Sequence, residues 1–188
     1  VSPPFILIDD VSSAVLDLGT YQTRAGYSGE DCPRSVIPSM IGIADGSGED
    51  MEMQDEGEQI KTSKKKLIVG SAGLNFRREG MVVSSIYQES GILNFELLDE
   101  ILNKSLIENL RVNPKETPLI FTENAMHNKE ARLKLTEFMF EKYQVPAIFI
   151  CKSPVLASFS CGRSTAVILE SGFKCTYATP VHDGYALQ

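Results

Sequence analysis

Two glycine-bearing stretches, one near each end of the chain, restrict its fold more than any other feature. The first runs Ala14-Val15-Leu16-Asp17-Leu18-Gly19-Thr20-Tyr21-Gln22-Thr23-Arg24-Ala25-Gly26-Tyr27. The second runs Val167-Ile168-Leu169-Glu170-Ser171-Gly172-Phe173-Lys174-Cys175-Thr176. In each, a short β-rich apolar run reaches a carboxylate, and a small or hydroxyl residue with a glycine then turns the chain back. Backbone N–H groups at such turns form an anion-binding concavity. A carboxylate beside the turn can hold magnesium through water. One hairpin of this kind is ordinary turn chemistry. Two, in this order, can face each other and hold a triphosphate and its metal between them.

The chain between them alternates strands and helices. Residues 5–43 read as strand-rich, with Ala14–Leu18, Arg24–Tyr27 and Ser35–Ile43 as candidate strands. From Asp45 to Lys66 the composition becomes acidic, with Asp45, Glu49, Asp50, Glu52, Asp55, Glu56 and Glu58, little apolar content and a basic end. Such a segment cannot bury enough surface to order itself and reads as an exposed, flexible insertion. Leu67–Gly70 looks like a strand end. Leu98, Ile101, Leu102, Leu106 and Leu110 recur at helical steps, as do Ala131, Leu135, Phe138, Met139 and Tyr143. The second helix stops before Pro146, and Pro154 suits the first turn of a third that runs to about Ser160. Pro118–Thr122 and Ala147–Cys151 read as strands, and 166–169 with 175–179 as the second hairpin. This alternation predicts an α/β fold with a mixed sheet, and the apolar helix stripes are read as core.

Composition removes several classes of function. The chain has 188 residues with 43% apolar content, enough for a sizeable core. No apolar run approaches the ~18 residues of a membrane span, and Val1-Ser2-Pro3-Pro4 lacks the basic start of a signal peptide. A net charge of −7 disfavours direct binding to nucleic acid. The four cysteines, Cys32, Cys151, Cys161 and Cys175, show no metal-ligand spacing and suit a reducing compartment. His127 and His182 are too few and too far apart for a metal or triad site, and Lys64-Lys65-Lys66 reads as a solvated loop.

At the hairpins and in the segments between them the chain resembles the first half of an actin-fold protein. Arg24-Ala25-Gly26-Tyr27-Ser28-Gly29-Glu30-Asp31-Cys32-Pro33-Arg34, Phe121-Thr122-Glu123-Asn124 and Met139-Phe140-Glu141-Lys142-Tyr143 with Pro146-Ala147 fall in family order. So do Gly162-Arg163-Ser164-Thr165 and Pro180-Val181-His182-Asp183-Gly184-Tyr185-Ala186-Leu187. Gly29-Glu30-Asp31-Cys32-Pro33, Cys151-Lys152 and Val181–Tyr185 resemble most the nuclear actin-related branch, shared by chromatin remodellers and a histone acetyltransferase complex. The resemblance implies an actin-like, ribonuclease H-like ATPase-domain fold, a mixed sheet with flanking helices. Its first half would occupy 1–160 with the insertion at 44–66, and the beginning of its second half 161–188. It also implies ATP and Mg2+ as cofactors. The nucleotide would be held by Asp17, Gly19, Thr20, Tyr21 and Arg24 from the first hairpin and Glu170, Ser171, Gly172 and Lys174 from the second. Asp17 and Glu170 would reach the metal through water.

Departures from the family pattern shape the expected mechanism. Arg24 replaces the family's phosphate-binding lysine, a planar fork in place of a point charge. Tyr21 stands where actin has glycine, and Phe173 and Lys174 where it has aspartate and glycine, so the cradle is crowded. Lys174 either adds a phosphate contact or points outward, the outward reading being preferred. Glu170 replaces an aspartate and is one methylene longer. Where actin positions the attacking water with glutamine and a nearby histidine, this chain has Ser153 and Tyr177. Neither is suited to activate water at neutral pH, so ATP hydrolysis is expected to be absent or very slow. The acidic insertion replaces actin's filament-contacting loop, and no filament is expected.

The leading expectation is a non-catalytic nuclear subunit that holds ATP structurally. It would dock on a helical segment of a remodeller or acetyltransferase scaffold, beside conventional actin, with histones as a further contact. The alternatives are a slow actin-like ATPase and a cytoskeletal actin-related protein. Residues 161–188 are expected to expose apolar surface.

Overall fold

The computed structural model describes residues 13–44, 65–76, 78–88, 93–126 and 128–187. Its centre is a five-stranded sheet. Strands β1 (Ala14–Leu18), β2 (Gln22–Tyr27) and β3 (Ser35–Pro38) form an antiparallel meander. Strands β7 (Leu119–Glu123) and β8 (Ile148–Lys152) continue it in parallel from β1, giving the order β3-β2-β1-β7-β8. Alternation sets the buried face: Ala14 and Leu16 on β1 are fully buried, as are Leu119 and Phe121 on β7 to within a percent. The parallel pairs require crossovers. Helix α2 (Phe95–Leu102) lies in the first, and helix α3 (Lys129–Glu141) makes the second. This mixed α/β arrangement is the one the resemblance implies.

Local chemistry explains where the helices start. The Asn94 side chain accepts from the backbone N–H groups of Glu96 and Leu97, and Asn128 accepts from that of Glu130. The regular stripe expected through Leu110 holds only to Leu102. Residues Asn103–Asn109 then widen into a π-helix, and the Leu110 N–H bonds to the Ser105 carbonyl at 3.1 Å. Leu106 and Leu110 stay buried. Contacts from the sheet hold this widened turn: the Tyr27 hydroxyl donates to the Leu110 carbonyl at 2.6 Å, and the Asn109 amide to Ser35 at 2.8 Å.

The strand expected over Ser35–Ile43 divides in two. After β3 the chain passes Ser39 and enters β4 (Met40–Ala44), which belongs to a separate antiparallel sheet. That sheet has the order β5-β4-β6, with β5 (Lys66–Val69) and β6 (Val82–Ser85). Between β5 and β6 lies the short helix α1 (Ser71–Leu74). Ser39 is fully buried at the divide, and each of its polar groups has a partner. Its N–H donates to the Tyr21 carbonyl, its carbonyl accepts from the Ile86 N–H, and its hydroxyl donates to the Gly19 carbonyl at 2.6 Å. The edges of the predicted insertion are strand: Ala44 pairs with Lys66 in the β4–β5 ladder. Residues 45–64, and with them most of that insertion, lie outside the described residues, as does His127.

The third sheet holds the second hairpin, β9 (Ala166–Ser171) and β10 (Thr176–His182), with the short β11 (Tyr185–Ala186). Helix α4 (Ser153–Ser160) precedes it and carries Pro154 in its first turn, as expected. One face of β9 presents Val167 and Leu169, both more than 70% exposed, which is the apolar surface foreseen there. No helix among the described residues is long and apolar enough to cross a membrane.

Candidate nucleotide cleft

The two hairpins place their turns on one cleft of about 460 Å³. In the first hairpin the ladder closes at Leu18 and Thr23, leaving residues 19–22 as its turn. In the second it closes at Ser171 and Thr176, leaving residues 172–175. The first turn has no room for a side chain at its glycine. A Cβ on Gly19 would sit 2.5 Å from the Gln22 carbonyl oxygen. In the second turn the Gly172 N–H closes onto the Cys175 carbonyl at 3.0 Å.

Asp17 stands at the end of β1 with both carboxylate oxygens engaged. Oδ1 accepts from the Thr122 hydroxyl at 2.5 Å, and Oδ2 from the Arg24 guanidinium at 3.2 Å. Arg24 lies opposite Asp17 in the β1–β2 register, which is why the two meet. Glu170, at the matching place on β9, accepts from the Ser153 hydroxyl at 3.1 Å. Behind the first turn the Tyr87 hydroxyl donates to the Leu18 carbonyl. Burial, and then the nearby Asp17 charge, push the Tyr87 phenol well above its ordinary range, so it stays a donor at neutral pH.

The predicted residues divide into two groups. Asp17, Gly19, Thr20, Glu170, Gly172 and Lys174 line the cleft. Lys174 borders the cleft and is exposed to solvent. Tyr21, Arg24 and Ser171 do not line it. Arg24 is turned onto Asp17, Ser171 bonds to Thr176 at 3.1 Å, and the Tyr21 ring lies on that of Phe173 with centroids 5.3 Å apart. The sequence reading missed Thr122 and Tyr87. A hydroxyl at the C-terminal end of a parallel strand was the signal available for Thr122. Tyr87 had none, because its contact joins residues 69 positions apart.

The groups at the water-activating positions have other partners. The Ser153 hydroxyl is committed to Glu170. The Tyr177 hydroxyl lies 2.9 Å from the Cys175 sulfur, and that hydrogen bond, with a little burial, raises its pKa. A phenol raised from its usual value near 10 is a poor base at pH 7. Among the described residues no three His, Cys, Asp or Glu side chains converge, so a cation here would complete its shell from water and phosphate oxygens.

The geometry agrees with what comparison with known proteins finds. The actin family profile matches residues 8–188. Actin-related protein 4 from Arabidopsis thaliana is 39% identical over 193 residues, which cover 96% of this chain and 44% of the relative. Actin-related protein 4 from Oryza sativa subsp. indica is 37% identical over 196 residues, with the same coverage. The chain thus spans less than half the length of these curated relatives.

Proposed function

Because this chain belongs to the actin family, we propose that it is part of a non-catalytic actin-related subunit that binds ATP as a structural cofactor. The observation that carries this reading is the cleft itself. Two glycine turns, each behind a carboxylate, meet across about 460 Å³, while Ser153 and Tyr177 are tied to Glu170 and Cys175.

The residues fit the nucleotide. Gly19 has no room for a Cβ, so bare backbone borders the cleft there, the kind of turn that suits an anion, and Lys174 stands in the other turn. Asp17 and Glu170 would hold Mg2+ through water, and the cation would neutralise phosphate charge. Thr122 and Ser153 orient those two carboxylates. With Ser153 and Tyr177 at the water-activating positions and both already bonded, the bound nucleotide would order the cleft without being consumed. The resemblance of Gly29–Pro33, Cys151-Lys152 and Val181–Tyr185 to the nuclear branch supports a place in the nucleus. There the protein would dock on a long helix of a chromatin-remodelling or acetyltransferase scaffold, with conventional actin as its neighbour.

The decisive test is to purify the intact protein, denature it and identify the released nucleotide by chromatography. Stoichiometric ATP is expected. ADP would restore the slow-ATPase reading, and an empty protein would leave a scaffold without cofactor. Co-purification with a helical scaffold segment tests docking, and failure to bind such a segment would remove it.

A further inference from the structure

Resting on the reading that this cleft takes a nucleotide, we propose that Tyr21 and Phe173 form an aromatic clasp over its phosphate end that retains the bound nucleotide. Tyr21 lies in the turn of the first hairpin and Phe173 in the turn of the second. Their rings meet with centroids 5.3 Å apart and planes tilted by 33°. This is within the range where aromatic pairs attract beyond the area they bury. The pair therefore ties together two turns that belong to different sheets.

Its position sets its role. Phe173 lines the cleft, yet the two rings are 63% and 55% exposed for Phe173 and Tyr21, so the contact lies at the solvent rim. For a phosphate held between the two turns, the ring pair bridges the rim beside it, and parting the rings would widen the way out. Opening requires side-chain rotation and no unfolding. The expected effect is slower release, not a sealed site. An exposed aromatic pair of this geometry corresponds to roughly a 2- to 13-fold change in rate when it is lost. Both positions carry large rings where a phosphate cradle needs only backbone, so the rings are not explained by anion binding itself.

The experiment loads the intact protein with a fluorescent ATP analogue and chases it with excess unlabelled ATP. Tyr21→Ala and Phe173→Ala are each expected to release the analogue about 2- to 13-fold faster. The double variant should be no faster than the faster single, because the two rings act as one contact. Phe173→Trp keeps a ring and should restore slow release. Bound analogue with release unchanged in both alanine variants would overturn the clasp and leave the nucleotide reading standing. Binding only after truncation would replace retention with a closed cleft. No binding by wild type or any variant would overturn the nucleotide reading, and the clasp with it.

Discussion

Ser39→Ala should be one of the most damaging small changes this chain can take. Ser39 has a single hydroxyl hydrogen, and it is given to the Gly19 carbonyl at 2.6 Å. The 2.9 Å contact with the Thr23 hydroxyl must then be donated by Thr23, which is fully buried. Removing the Ser39 oxygen leaves a buried hydroxyl and a half-buried carbonyl without partners. Each such group costs about 1–3 kcal/mol, the carbonyl toward the lower end because water can reach it. The sum is about 2–4 kcal/mol, on the order of a hundredfold in the folding equilibrium. Thr23→Val alone removes one donor and leaves the Gly19 bond intact, so about 1 kcal/mol is expected. Most telling is the pair. Ser39→Ala with Thr23→Val leaves only the carbonyl unpaired and should be more stable than Ser39→Ala alone. Urea unfolding followed by circular dichroism, at unchanged slope, measures all three. If Ser39→Ala falls within about 0.5 kcal/mol of wild type, the effect of an ordinary surface substitution, or if Thr23→Val adds to its cost, the reasoning is wrong.

Gly19→Ala would place a methyl 2.5 Å from the Gln22 carbonyl. The turn must shift, and nucleotide retention measured after purification should fall at least tenfold, with a smaller loss of stability. Phe121→Ala empties a site at the centre of the main sheet, where Phe121 is 1% exposed, and should cost about 3–5 kcal/mol in the same urea assay. Burial raises the Tyr87 phenol, with Asp17 adding to it, and burial with the Asp99 hydrogen bond raises that of Tyr143. The folded protein therefore keeps protons that the unfolded chain loses near pH 10. Their stabilisation is complete below that pH and is lost above it, at a slope of about 1.4 kcal/mol per pH unit for Tyr87. Tyr87→Phe should flatten alkaline unfolding, and an unchanged slope would remove Tyr87 as its source.

Much of the fold could be read because its signals were local. A β-rich apolar run marked β1, apolar spacing stopped before Pro146 marked α3, and Pro154 placed α4. The glycine turns with Asp17 and Glu170 announced a cleft before any packing was considered. What escaped depended on distant partners. Within Ser35–Ile43 Pro38 is the one local sign of a break, and the division at Ser39 itself is set by Gly19, Tyr21, Thr23 and Ile86. The π-turn after Leu102 follows from hydrogen bonds to Tyr27 and Ser35, which spacing along a helix cannot reveal. The family resemblance implied a phosphate for Arg24, in place of a lysine. The ladder register, which only the fold supplies, turns it onto Asp17.

That register gives the first hairpin an exchangeable counter-ion. Asp17 is the group a magnesium shell would attract, and Arg24 the group a phosphate would attract, and at present each neutralises the other. A cation arriving at the carboxylate loosens the guanidinium, and a phosphate arriving at the guanidinium loosens the carboxylate. Each ligand would therefore lower the free-energy cost of binding the other, and linkage requires that coupling to be reciprocal. Magnesium should tighten nucleotide binding more in the wild type than in Arg24→Met, where no ion pair has to be exchanged. Equal tightening in both would show that the pair plays no part.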